Sequence, residues 1–219
     1  MTPKELVAEF LKLQRAYAFN KRVLVTPERY ANAFTTEATH TPDLADTTLH
    51  EPLMEHVGHL PVLASYFYPH VEHSSQIDIG RVLTMLSIHD IGETATGDVF
   101  AYHKTSNQAD AERAAARSLL HPSLHPYLEE YIAKETLDAK YAKAIDVLAP
   151  NIYGVIIPKV TLARAESLQT TPQDVIEQSR AHMEWDAVLV SIFDLVLEQY
   201  QAIIDGRKPP FPVETYDTL

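Results

Sequence analysis

The stretch Leu86-Ser87-Ile88-His89-Asp90-Ile91-Gly92-Glu93-Thr94-Ala95-Thr96-Gly97-Asp98 decides how this chain is read. It sets four side chains able to bind metal or move protons among apolar residues. An α-helix turns about 100° per residue, so positions three and four apart share a face, and Glu93 is neighbour to both His89 and Asp90. The segment from Asp78 to Ile88 has helical spacing, which puts His89 and Asp90 at a helix end beside a buried region. A carboxylate in that setting needs a partner, because burying an uncompensated charge costs several kcal/mol. A His-Asp pair alone is common as a hydrogen-bonded structural feature, so its neighbours must decide.

Outward from this stretch the spacing predicts helices throughout. Thr2-Pro3-Lys4-Glu5 reads as a capping box with proline at the first helical position, followed by Leu6, Val7, Phe10, Leu11 and Tyr17 at helical intervals. Thr26-Pro27 starts a second short helix carrying Tyr30 and Phe34, and Thr35 to Thr48 reads as a polar loop. Glu51 to Tyr68 is helical, with Pro61 expected to kink or restart it. Further helices are expected from Ser106 to Leu120, from Pro122 to Lys134 and from Thr136 to Ala149, where Pro150 should end the last. Pro158 interrupts an apolar stretch, and one long amphipathic helix is expected from Thr171-Pro172 through Tyr200. No strand alternation or repeat competes, and six glycines leave little material for hairpins. The expected class is all-α, a single helical domain over residues 1–219. Its metal-site core lies at about 50–200, and the N-terminal helices over 2–35 pack on it.

Composition narrows the function. The net charge of −12, from 30 acidic and 18 basic residues, argues against nucleic-acid polymers as partners. A local site for a small phosphate ester remains compatible, because a bound cation sets its own potential. Cysteine is absent, which excludes disulfides, thiolate zinc sites and cysteine nucleophiles and suits a reducing cytoplasm. The N-terminus lacks a signal peptide's apolar core, and the apolar run Ala187 to Leu197 is too short to span a bilayer and contains Asp194. A soluble, cytoplasmic protein without a membrane partner is expected.

A divalent ion held only by His and carboxylate needs about four protein ligands, with positions left for water and substrate. His89 and Asp90 supply two. His56 follows Glu55 on an apolar helix, and Asp146 sits among Ala144, Ile145, Val147 and Leu148; each taken singly is more often a structural group. The order of the four residues changes that balance. His, then His-Asp, then Asp, each on its own helix, resembles the HD-domain superfamily of metal-dependent phosphohydrolases. Glu55-His56, His89-Asp90-Ile91-Gly92-Glu93 with Gly97-Asp98, and the segment Asp138 to Asp146 are similar to its 5'-deoxynucleotidase-like branch.

The resemblance implies an HD-type helical bundle in which His56, His89, Asp90 and Asp146 bind one divalent metal ion: manganese, cobalt, iron, magnesium, nickel or zinc. It implies Glu93 as the catalytic carboxylate and Asp98 as a second acidic residue near the attacking water or a sugar hydroxyl. A divalent ion polarises a phosphoryl oxygen and lowers the pKa of a bound water, and a carboxylate beside it can orient that water or move a proton. Glu93 also has a plainer role open to it, as an orienting partner of His89.

The chain departs from the branch in one respect: the basic/aromatic pair before the first ligand is missing. Arg15, Arg22, Arg29 or Lys104 stands available to hold phosphate, with Lys104 the best placed, although such side chains are more often solvated. His59, three residues after His56, is either an alternative ligand or a substrate contact. Trp185 reads as core or interface, and His70, His73, His121, His125 and His182 as surface residues. The leading expectation is hydrolysis of a nucleoside or deoxynucleoside 5'-monophosphate or a similar small monoester by a homodimer. Two alternatives keep the same site: a phosphodiesterase or pyrophosphohydrolase acting on a signalling nucleotide, and a non-catalytic helical regulator with a structural metal.

Overall fold

Every regular element in the computed structural model is helical, as the 3.6-residue spacing predicts, with no strand among the described residues. Those are residues 2–8, 53–97, 104–156, 158–167, 171–208 and 210. The main helices are α1 (Leu53–Phe67), α2 (Ile79–Ile88), the single turn α3 (Glu93–Thr96), α4 (Ser106–Leu119) and α5 (His125–Ala133). They continue with α6 (Leu137–Ile156), α7 (Pro158–Ser167), α8 (Pro172–Ser179) and α9 (Ala187–Ile204). Residues 3–8 form a further helical turn, held by the reciprocal Thr2 and Glu5 bonds of the expected capping box. Its Leu6 and Val7 are buried in the main core. The helix expected at Thr26-Pro27, the loop at Thr35 to Thr48 and Arg15, Arg22, Arg29 and Asp98 lie outside the described residues.

Helix α6 is the central element, packed against α1, α2, α5, α7 and α9. Its buried face alternates small Ala139, Ala142, Ala144 and Ala149 with Tyr141, Ile145, Leu148 and Ile152, so neighbours approach closely around a few large side chains. They meet Leu60, Leu63 and Phe67 of α1, Met85 and Leu86 of α2, and Leu189, Ile192, Phe193 and Val196 of α9. Burying each aliphatic or aromatic side chain fully contributes about 1.5–3 kcal/mol. The Tyr141 hydroxyl, inside this core, donates to the Ala64 carbonyl at 2.6 Å.

The start of α2 is tied to the start of α6. Asp78 caps α2 by accepting from the Gly80 and Arg81 amides, while its own amide donates to Asp138 at 2.8 Å. Arg81 pairs with Glu130 and Asp138. The two helices meet again at His89 and Asp146, 3.3 Å apart. At 1.5 Å per residue these points lie about 16 Å along one helix and about 12 Å along the other, so α2 and α6 run side by side in one direction. This pairing brings two segments of chain distant in sequence to the same point.

Two expectations about helix boundaries are corrected, and of the two offered for Pro61 the restart is excluded. Pro150 does not end α6, which runs through it to Ile156. Beside the proline, the Asn151 side-chain amide donates to the Val147 carbonyl at 2.9 Å and Arg164 donates to that of Pro150 at 2.8 Å. Pro61 likewise lies within α1 without restarting it. The long C-terminal helix is two helices: Thr171 caps α8 in a capping box with Asp174, α8 stops at Ser179, and Asp186 caps α9 through the Val188 and Leu189 amides. An Asp before an apolar run is a start signal that the continuous amphipathic pattern hid. Helix α9, with its 18 residues, is long and apolar enough to cross a membrane by length and composition, unlike the shorter run weighed from sequence. Leu189, Ile192, Phe193, Val196 and Tyr200 on it are buried in the bundle.

Candidate metal centre

Helix α2 ends at Ile88, and the turn that follows places His89 and Asp90 at its C-terminal end. His89 is buried, and its Nδ1 lies 3.0 Å from the Leu86 carbonyl. A carbonyl can only accept, so Nδ1 carries the proton and donates, leaving Nε2 turned inward. That Nε2 is 3.0 Å from Asp90 Oδ2 and 3.3 Å from Asp146 Oδ1. His56, from the first turn of α1, brings its own Nε2 to 3.4 Å from each of the same oxygens. One ligand atom from each of His56, His89, Asp90 and Asp146 lies within 4.8 Å of the others.

These four donors fit a divalent cation. Two carboxylate oxygens and two imidazole nitrogens of fixed direction point at one spot, and a His/Asp set of this kind suits hard or borderline divalent ions. Without an ion, the charge of the two carboxylates must be met by protons. Burial works against a charged His89, yet Asp146 and Asp90 outweigh it and lift the imidazole pKa to about 10. Burial would also raise Asp146, but Lys143, His89 and His56 hold its carboxyl well below the usual range. The site is therefore built to keep Asp146 ionised and to welcome positive charge.

Two residues that sequence reasoning did not single out orient Asp146. The Tyr131 hydroxyl donates to Asp146 Oδ2 at 2.7 Å, and Lys143 Nζ reaches the same oxygen at 2.8 Å. With Oδ2 held by both, Oδ1 is left to the cluster. The Tyr131 ring also lies 5.1 Å from that of His89, and the Lys143 ammonium sits over the Tyr131 ring at 5.7 Å. Burial and the nearby carboxylates push the Tyr131 phenol well above its ordinary pKa, so it stays a donor. Lys143 had a sequence signal, since it stands three residues before Asp146 on one helix face. Tyr131 had none, because it comes from α5 and meets the site only through packing.

Glu93 opens the short turn α3, its amide donating to the Asp90 carbonyl at 2.9 Å. Its carboxylate belongs to a second group with Asp90 and Glu112, which shares Asp90 with the first. Lys104 joins this group: its ammonium is 3.3 Å from Glu93 and pairs with Glu112. Burial disfavours the Lys104 cation, but Glu112 and Glu93 more than restore it. Glu112 was missed from sequence because it looks like one more charge on the solvated face of α4. Gly92 permits the approach: a Cβ there would stand 2.2 Å from the Glu112 carbonyl oxygen.

Of the other expected site residues, His59 lies beside His56 with ring centroids 5.7 Å apart, outside the four-ligand group. Trp185 is half-buried against Tyr141 and His73, in keeping with a packing role. Two of the histidines expected at the surface are engaged: His125 bonds the Arg117 and Leu120 carbonyls, and half-buried His182 lines a cavity.

Residues 43–184 match the HD domain family, and the chain belongs to it. Every described member of the cluster and its supporting shell, from His56 to Asp146, falls inside the matched span. No curated protein matches this chain. Among solved structures it is similar to a predicted metal-dependent phosphohydrolase from Magnetospirillum magnetotacticum MS-1, at 27% identity and a TM-score of 0.57. The likeness covers 74% of this chain and 79% of that one.

Proposed function

We propose that this chain is a metal-dependent phosphohydrolase of the HD type, and that it removes phosphate from a small monoester such as a nucleoside or deoxynucleoside 5'-monophosphate. The observation carrying the reading is the convergence of His56, His89, Asp90 and Asp146 on one spot with Glu93 immediately beyond Asp90. A structural metal site does not require a further carboxylate poised next to it. The solved relative is described as a predicted metal-dependent phosphohydrolase, which favours the same chemistry. The nucleotide is supported by the motif resemblance of Glu55-His56 and of the His89-to-Asp98 stretch.

In this reading His56, His89, Asp90 and Asp146 hold the ion, which supplies Lewis-acid polarisation of a phosphoryl oxygen and a water of lowered pKa. Glu93 orients the attacking water and takes its proton, a role that contributes typically 10²–10⁴-fold in rate. Lys104 pairs with Glu93 and aims it, and its ammonium offers charge to a phosphate oxygen. Asp98, one residue past Gly97, is proposed to meet the attacking water or a sugar hydroxyl.

The test is phosphate release from a panel of monoesters, diesters and pyrophosphates by the metal-loaded protein, with Asp146→Ala and Glu93→Ala alongside. Asp146→Ala should lose metal, and Glu93→Ala should retain metal and lose turnover. Absence of metal-stimulated release from every monoester sinks the reading, and full activity in Glu93→Ala removes its mechanism.

A further inference from the structure

Lys143, whose ammonium meets Asp146 Oδ2, also lines a cavity of about 400 Å³ together with Lys134, Lys140, His182, Glu184 and Trp185. Three separate elements build it. Lys134 is the left-handed C-cap of α5 at φ 55°, Lys140 and Lys143 stand three apart on α6, and the turn before α9 delivers His182 and Trp185. That turn is fixed by the Trp185 indole, which donates to the His182 carbonyl at 2.9 Å.

The charge of this cavity runs against that of the molecule. In a chain of net charge −12, three lysines converge on a lining that offers Glu184 as its carboxylate. Among the described residues neither Lys134 nor Lys140 has an ion-pair partner, although nearly every other basic group near the site is paired. Burial chiefly, with Lys143 and Arg113 adding to it, disfavours the Lys134 ammonium. Only Lys143 is answered, and its partner is the candidate metal ligand.

We propose that this cavity is a second anion site, taking a phosphate group between Lys134, Lys140 and Lys143. Three lysines lining one half-open pocket suit a compact anion of multiple charge better than a lone carboxylate, and a contact from any of their ammonium groups to it is charge-assisted. The volume admits a phosphate with part of the molecule that bears it. Lys143 links the two sites: an anion that draws its ammonium leaves Asp146 Oδ2 to Tyr131, so phosphate and metal affinities change together and by the same factor in each direction. The binding does not depend on the hydrolase reading; only the source of the anion, a second phosphate of the substrate or the released product, rests on it.

The probe is inorganic phosphate, titrated calorimetrically into the full-length protein, metal-loaded and again with excess chelator. The double variant Lys134→Asn, Lys140→Gln is compared with wild type; Asn accepts the left-handed cap and Gln is a good helix former, so the backbone is kept. Phosphate binding that survives chelation in wild type and weakens at least tenfold in the variant, with Lys140→Arg restoring it in the Lys134 background, is the expected result. Binding that disappears with the metal, or that is equal in wild type and variant, overturns the proposal. If the double variant fails to fold by circular dichroism, Lys140→Gln alone carries the same comparison. A rise in KM selective for substrates with two phosphate groups assigns the site to substrate, and relief of product inhibition assigns it to released phosphate. Chelation-resistant binding in a protein that hydrolyses no monoester would remove the hydrolase reading and leave this site standing.

Discussion

Replacing Tyr131 by Phe removes one hydroxyl and leaves the ring that packs 5.1 Å from His89. The lost bond is the 2.7 Å donation to Asp146 Oδ2. A hydrogen bond to a charged acceptor contributes about 1.5–3 kcal/mol, and because Lys143 keeps its own hold on the same oxygen, the lower half of that range applies. The expected loss in metal affinity is about tenfold, within the roughly 10–100-fold cost of removing an outer partner of a metal ligand. The assay is competition for manganese or zinc against a chromophoric chelator, with thermal unfolding in excess chelator measured on the same samples. The unfolding data separate loss of folded protein from loss of affinity. Affinity within twofold of wild type, at any change in Tm, would refute the argument that Tyr131 aims Oδ1 by holding Oδ2. A double-mutant cycle with Lys143→Met should show coupling above about 0.5 kcal/mol, since the two donors share one acceptor.

Three further outcomes are expected. Glu93→Gln should keep its metal, read by elemental analysis, and lose 10²–10⁴-fold in kcat, roughly the contribution of a positioned general base. Gly92→Ala forces a methyl group against the Glu112 carbonyl, so Tm should fall by an amount matching about 1–3 kcal/mol of overpacking, with activity reduced as Glu112 and Lys104 move from Glu93. The metal-free protein should lose stability as pH rises. The His89 pKa of about 10 stands above its ordinary 6.5, so the stabilisation is fully present below pH 6.5 and disappears as pH climbs through about 10. Denaturant titrations from pH 6 to 10 should show this decline in the chelated wild type; a decline of equal size in His89→Gln would assign it elsewhere.

Much of the fold was legible because helices announce themselves locally. The Thr2 capping box, the Thr171-Pro172 start and the Asp78 cap each lie within a few residues of the structure they specify, whereas Pro158, where a helix begins, reads from sequence only as an interruption. Boundaries failed where distant contacts decided them. Pro150 should stop a helix, yet α6 runs through it to Ile156, packed on α7 and α9. The break between α8 and α9 was concealed because apolar spacing carried on in phase across the Asp186 cap.

By itself, the sequence determined the class of fold, because 3.6-residue periodicity is a property of short segments, and it offered His56, His89, Asp90 and Asp146 as ligands through their resemblance to the HD-domain pattern. It placed His56, His89 and Asp146 on separate helices without bringing them together. Only the tertiary structure decided that their ligand atoms meet, since that depends on α2 and α6 being tied at Asp78 and Asp138 and running side by side to His89 and Asp146. It alone brought in Tyr131 and Glu112, whose side chains are ordinary in sequence. Their functions arise from which carboxylate each one touches, and contacts across the bundle are set by packing that no short segment records.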